Sequence, residues 1–214
     1  MTIFSHSSNA DQQWKVLGRT LVQQSLRFDQ RQELKFDYPT VTEKDVELRL
    51  GIKLTELFEP RVIHSLYYDD QFSSLWWQGE EGINPRTKYR IRWYDDESSD
   101  WQVEVKRSEA TFRLKSSESY FGERPKTLET HFGTLSPSAE VSYRRRYLGG
   151  SGVRVTVDTA LQTQSRALMV WIDHPINVLE IKMKDGPNDP VVDLRRLTAT
   201  HRFSKYGIAL ARSF

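Results

Sequence analysis

Residues 86–107 read Arg-Thr-Lys-Tyr-Arg-Ile-Arg-Trp-Tyr, then Asp-Asp-Glu-Ser-Ser-Asp, then Trp-Gln-Val-Glu-Val-Lys-Arg. Side chains two apart share a face of an extended strand. Arg86, Lys88, Arg90 and Arg92 therefore line one side, and Tyr89, Ile91 and Trp93 the other. Beyond the acidic turn, Glu104 and Lys106 fall on one face, while Trp101, Val103 and Val105 take the other. The stretch predicts a hairpin with one apolar face and one densely charged face. What the chain does turns on whether that charged face meets water or a ligand.

Composition narrows the choice. The 214 residues are 37% hydrophobic and 12% aromatic, enough for a packed core in one domain. Charged residues make up 28% of the chain, yet the formal net charge is only +2. A general basic field for collecting nucleic acid is absent, so an anion site has to come from local placement of cations. With no cysteine, disulfides, thiolate metal ligands and a cysteine nucleophile are excluded. No run approaches the length of a membrane span, and the opening Met-Thr-Ile-Phe-Ser-His-Ser-Ser lacks the regions of a signal peptide. The expectation is a protein of the cytoplasm with no membrane segment.

Outward from the hairpin, the same alternation recurs. Residues 1–30 read as a lead-in, partly disordered or helical, ahead of a domain over 31–214. Residues 31–38 alternate, with Glu33 and Lys35 opposite Leu34 and Phe36, and Pro39 ends the strand. Thr40 and Glu43 predict a capping box for a helix over 42–58, whose Val46, Leu50, Leu54, Leu57 and Phe58 recur at helical spacing before Pro60 closes it. Further strands are expected at 61–69, 110–116, 140–148, 153–158, 167–172 and 178–184, with a loop carrying a helical turn or two over 117–138. Gly149-Gly150-Ser151-Gly152 reads as a hairpin turn, since neither a helix nor a Lys-Ser/Thr pair follows it. Asp189 and Pro190 open a closing helix over 190–200.

Charged pairs on one strand parity stand at Glu33/Lys35, Arg90/Arg92, Glu104/Lys106 and Glu180/Lys182, two apart, and at Arg154/Asp158, four apart. One such strand is ordinarily a solvated face laced with ion pairs. Five of them, rich in Arg with its planar fork for phosphate oxygens, point instead to a ligand-binding face. An antiparallel closed barrel with a polar interior and helices outside supplies the geometry.

The ordered set Glu-Leu-Lys-Phe, Ser-Leu-Tyr-Tyr-Asp, Lys-Tyr-Arg-Ile-Arg-Trp-Tyr, Val-Glu-Val-Lys, Arg-Val-Thr-Val-Asp, Val-Leu-Glu-Ile-Lys and Phe-Ser-Lys-Tyr, spread over residues 31–206, resembles the VTC domain. That domain is the catalytic part of the vacuolar transporter chaperone polyphosphate polymerase and of its bacterial relatives, within the triphosphate tunnel metalloenzymes. The resemblance implies an α+β fold, a closed antiparallel eight-stranded barrel with helices packed outside. It implies a metal-dependent polyphosphate polymerase that moves the γ-phosphate of ATP onto a growing chain. A tripolyphosphatase or nucleoside or thiamine triphosphate hydrolase is the alternative, and a non-catalytic polyphosphate-binding module a third. Lys35, Arg90, Arg92, Lys106, Lys115, Arg145, Arg154, Lys182 and Lys205 would bind phosphate, all but Lys115 with a catalytic role. Glu180 would be the main ligand of Mn²⁺ or Mg²⁺, with Glu33, Glu104 and Asp158 nearby. Arg145 is preferred over Arg144 and Arg146 because it alternates with Tyr143 and Tyr147. The expected partners are ATP and polyphosphate or another triphosphate, not a nucleic-acid polymer. The segment carries neither the SPX domain nor the membrane helices of the eukaryotic subunits, so vacuolar translocation is not expected of it.

Other residues carry less. The five histidines, His6, His64, His131, His174 and His201, lack metal-ligand spacing. Trp76 and Trp77 read as packing more readily than as a platform for stacking bases.

Overall fold

The computed structural model describes residues 27–29, 31–95, 100–109, 113–184 and 203–211. The strands are β1 (Arg27–Asp29), β2 (Arg31–Tyr38), β3 (Thr55–Asp69), β4 (Arg86–Tyr94), β5 (Asp100–Ser108), β6 (Arg113–Phe121), β7 (Leu128–Thr130), β8 (Gly133–Gly150), β9 (Val153–Ser165), β10 (Ile172–His174) and β11 (Asn177–Lys184). Among the described residues three short helices join them: α1 (Glu43–Leu50), α2 (Ser74–Glu80) and α3 (Lys205–Ala211). None of the described helices is long and apolar enough to cross a membrane.

The chain divides into two compact units, Met1–Asp29 with Ser65–Glu140, and Gln30–His64 with Val141–Phe214. In the first unit the strand order is β1-β6-β5-β4-β3. Antiparallel pairing sets Tyr89 opposite Val105 and Ile91 opposite Val103. These residues join Trp93, Trp101, Tyr68, Leu75 and Leu135 in one apolar core. Trp93 and Trp101 meet edge to face with centroids 5.3 Å apart, and the Trp101 indole donates to the Gly122 carbonyl. The β3 to α2 turn is tied by the buried Asp69 carboxylate, which accepts backbone N–H bonds from Asp70, Leu75 and Trp76, each at 2.9 Å. Trp76 is buried beside that turn and Trp77 is 44% exposed.

In the second unit the order is β3-β8-β9-β11-β2. Its core gathers Leu34 and Phe36 of β2, Val153, Val155 and Val157 of β9, and Leu179, Ile181 and Met183 of β11, with Val41 and Val46 from around α1. As in the first unit, one strand parity is apolar and the other charged.

The pairings β1–β6, β5–β6, β4–β5, β7–β8, β9–β10, β9–β11 and β2–β11 are antiparallel, and the described strands follow an open path with β1 at one end and β2 at the other. The closed eight-stranded barrel expected from the sequence is thus not formed by the described pairings; the fold is an antiparallel, sheet-rich one with few helices. The helix expected over 42–58 stops at Leu50, because Gly51 takes a left-handed conformation (φ 63°) and donates back to Glu47. Its capping box is made by Thr42 and Asp45, two residues beyond the expected Thr40 and Glu43. Leu54 precedes, and Leu57, Phe58 and Pro60 belong to, β3, which starts at Thr55 instead of 61. The expected loop at 117–138 holds the end of β6, all of β7 and the start of β8. The strand expected at 167–172 is not formed: residues 166–171 turn the chain, and β10 begins only at Ile172. The expected helix at 190–200 and most of the lead-in lie outside the described residues.

The glycine run between β8 and β9 acts in two ways. Ser151 and Gly152 turn the chain with φ of 48° and 81°. Gly150 instead allows close approach, since a Cβ there would stand 2.1 Å from the Lys53 carbonyl oxygen. Gly150→Ala should therefore destabilise the fold by about 3 kcal/mol through overpacking against backbone. Gly152→Ala, with open space around it, should cost only about 1 kcal/mol of left-handed strain. Urea unfolding of the two variants tests that order.

Candidate functional site: two charged strand faces

The first unit places its charged residues by strand parity and register. Lys88 of β4 stands opposite Lys106 of β5, and Lys106 opposite Lys115 of β6. Three lysines thus stand abreast on one face, an arrangement that like-charge repulsion disfavours. One row on, Arg90 stands opposite Glu104. Glu104 is 4% exposed. It receives Arg90 Nε at 2.6 Å and Lys115 Nζ at 2.5 Å, with Arg92 Nη1 at 3.7 Å. Burial alone would raise its carboxyl pKa, but Arg90, Arg92 and Lys115 outweigh that and hold it well below the usual carboxylate range. Burial and the two arginines in turn depress Lys115, against the pull of Glu104. Three described cations thus share one carboxylate.

Two further residues complete this face. Arg92 Nε donates to the buried Ser65 hydroxyl at 3.3 Å, and Arg90 Nη1 donates to the Tyr67 phenol oxygen at 3.1 Å. Burial pushes the Tyr67 phenol up, but Arg90, Lys88 and Arg92 outweigh it and bring the pKa down to about 8. Neither residue was read from the sequence as part of a site. The run Ser-Leu-Tyr-Tyr-Asp hides the parity, because Ser65, Leu66, Tyr67, Tyr68 and Asp69 are all buried.

The second unit carries its charges on β2, β11 and β9. Glu33 stands opposite Lys182, and Lys182 opposite Arg154. In the next row Lys35 stands opposite Glu180, and Glu180 opposite Thr156. Lys35 Nζ lies 3.1 Å from Glu33 and 4.0 Å from Glu180, while Lys182 Nζ lies 2.9 Å from Glu180 and 3.7 Å from Glu33. Lys35 also donates to the Phe203 carbonyl at 3.2 Å. Burial and Glu33 raise the Glu180 carboxyl, but Lys182, Lys35 and Arg145 prevail and lower it. Arg154 is exposed near the start of β9.

Beside them, Arg145 holds Asp158 through two nitrogens, with Nη2 at 2.7 Å, and Lys205 Nζ reaches the same carboxylate at 2.6 Å. The Tyr143 ring lies against both cations, its centroid 5.2 Å from Arg145 Cζ and 4.4 Å from Lys205 Nζ. Burial would raise Asp158, yet Lys205 and Arg145 hold it far below the ordinary carboxylate range. Of the three adjacent arginines, Arg145 joins this cluster, Arg146 pairs with Glu43 and Glu56, and Arg144 is exposed.

The expected site residues therefore fall into two groups. Arg90, Arg92, Lys106, Lys115 and Glu104 lie in one unit, and Lys35, Arg145, Arg154, Lys182, Lys205, Glu33, Glu180 and Asp158 in the other. Among the described residues no three His, Cys, Asp or Glu side chains gather as a metal-binding group. Glu33 and Glu180 do come together, bridged by the same two lysines, and their mutual repulsion is what a divalent cation would relieve. That donor pair fits a hard cation completed by water and ligand oxygens. Glu104 and Asp158 are each committed to two or more cations.

The VTC domain profile matches residues 18–132 and 115–214. The chain belongs to the VTC domain family. Comparison with curated protein sequences finds no match. Among solved structures, a candidate adenylate cyclase from Vibrio parahaemolyticus aligns at 14% identity over 86% of this chain and 99% of its own, with a TM-score of 0.51, which shows a shared fold. A candidate adenylyl cyclase from Hippeastrum, described as having a dominant triphosphatase activity, aligns at 9% identity over 86% of this chain and 96% of its own, with a TM-score of 0.43. The S. pombe RNA triphosphatase Pct1 aligns at 12% identity over 68% of this chain and 48% of its own, at 0.29.

The Tyr67 phenol of this VTC domain gives a pH signature. Its pKa is lower in the folded state than the ordinary 10.0, so the unfolded chain binds more protons between about pH 8 and pH 10 and stability rises across that window. Urea unfolding across that range should show a gain of up to about 2 kcal/mol that Tyr67→Phe abolishes. An unchanged slope in the variant would place the titrating group elsewhere.

Proposed function

We propose that the charged faces bind runs of phosphoryl groups and that this VTC domain is a polyphosphate polymerase using ATP. The observation that carries the reading is the gathering of cations on the described strand faces, seen most plainly where Lys88, Lys106 and Lys115 stand abreast beside Arg90 and Arg92. Cations brought that close repel one another, and phosphoryl oxygens are a multivalent anion that Arg forks and Lys ammonium groups suit.

On this reading Arg90, Arg92, Lys106 and Lys115 in one unit, and Lys35, Arg145, Arg154, Lys182 and Lys205 in the other, each neutralise non-bridging oxygens of the phosphoryl groups they bind. Glu180 and Glu33 would hold Mn²⁺ or Mg²⁺, which supplies further charge neutralisation on the phosphate oxygens. A terminal oxygen of the polyphosphate chain attacks the γ-phosphorus, the bond to the β,γ-bridging oxygen breaks, and ADP leaves. Such a transfer asks the protein for positioning and electrostatics, with no side-chain nucleophile. A cytoplasmic location, with ready access to ATP, belongs to the same proposal.

Incubation with ATP and Mn²⁺ tests it. Long polymer with ADP is expected. Free phosphate in place of polymer would make the chain a triphosphate hydrolase, and binding without turnover a polyphosphate-binding module. Glu180→Gln should lower turnover by about 100-fold or more, as loss of a metal ligand or of a charge-stabilising group does. Its affinity for metal-free polyphosphate should hold or rise, because one repelling carboxylate has gone. Turnover near wild type at limiting metal would contradict the role given to Glu180.

A further inference from the structure

We propose that the Thr156 hydroxyl is a further phosphate-binding group of the second unit, donating to a phosphoryl oxygen laid against β9 and β11. This rests on the reading that the face takes a phosphate chain.

Thr156 is 4% exposed, and among the described residues its Oγ1 has no hydrogen-bond partner. A buried hydroxyl left unsatisfied costs about 1–3 kcal/mol, so native structures give such groups a partner or a purpose. Other buried hydroxyls here have partners: Ser65 accepts from Arg92, Thr130 donates to the Gly133 carbonyl, and Thr163 is hydrogen-bonded to His174. The Ser116 hydroxyl also lacks one, but Ser116 stands opposite Val105 on the apolar parity of its sheet. Thr156 differs in its face.

In register Thr156 stands directly opposite Glu180, which stands opposite Lys35. Its own strand places Arg154 and Asp158 on the same parity. Glu180 does not satisfy the hydroxyl, since its carboxylate is turned to Lys182 and Lys35. The strand needs no hydroxyl for its own sake. Val153, Val155 and Val157 supply β-branched residues on the other face, and valine would fill position 156 with the same shape. What threonine adds is one O–H donor in the row that joins Lys35 to Glu180. An oxygen-rich anion drawn in by Lys35, Lys182 and Arg154 would bring an acceptor to it.

Calorimetric titration with metal-free tripolyphosphate tests this on wild type, Thr156→Val and Thr156→Ser. The Val variant should bind about tenfold more weakly or worse, as loss of a hydrogen bond to a charged group does, while the Ser variant binds like wild type. Without ligand, the melting temperature of Thr156→Val should hold or rise, because an unsatisfied hydroxyl has been removed. Wild-type affinity in the Val variant would overturn the inference and leave the phosphate-binding reading standing. Absence of tripolyphosphate binding in wild type would overturn that reading and this inference with it. Should the Val variant fail to fold, the hydroxyl has a structural role and the inference is wrong, unless Thr156→Ala folds and shows the predicted loss of affinity.

Discussion

Like charges on neighbouring strands repel, and this repulsion is the constraint on which the rest of the molecule depends. Lys88, Lys106 and Lys115 occupy one row of β4, β5 and β6, and Glu104 answers two arginines and Lys115 at once. Such an arrangement survives only if something else holds the strands in register. The apolar parity does so: Tyr89, Ile91, Val103 and Val105 are buried on the opposite face of the same hairpin. Full burial of a large apolar side chain contributes about 1.5–3 kcal/mol, whereas a like-charge cross-strand pair costs a fraction of that. The core therefore wins, and the like charges of the charged face stay in register.

The second unit solves the same problem with better local balance. Glu33, Glu180 and Asp158 interleave with Lys35, Lys182, Arg145 and Lys205. The Asp158 pair is nearly sealed from water, and losing one member of such a pair costs more than the pair contributes. Arg145 is therefore held rigidly, with Tyr143 against it, while Lys35 and Lys182 share two carboxylates at a range of distances. On the proposed function, the rigid pair would orient a phosphate and the shared lysines would exchange a carboxylate for a ligand oxygen.

The two-residue period made much of this legible in the sequence. It put Arg90 and Arg92 opposite Tyr89 and Ile91, and Glu180 with Lys182 opposite Leu179 and Ile181, because parity depends on backbone geometry alone. Parity also singled out Arg145 among three arginines as the residue sharing a face with Tyr143. Where the signal was ambiguous, the reading failed. Leu54, Leu57 and Phe58 mimic helical spacing, and only the left-handed Gly51 cuts the helix short. Tyr67 and Ser65 were hidden in a strand buried on both parities, where alternation carries no information. Pairing partners are long-range, so neither the open strand path nor the division into two units could be read from local pattern.

If the gathered cations are what the charged faces offer a ligand, the folded state should gain stability from a multivalent phosphate anion in proportion to its binding. Thermal unfolding with and without millimolar tripolyphosphate, against sulfate at matched ionic strength, measures this most directly. The account predicts a rise of several degrees with tripolyphosphate that sulfate does not reproduce. Identical melting temperatures in the two salts would contradict it.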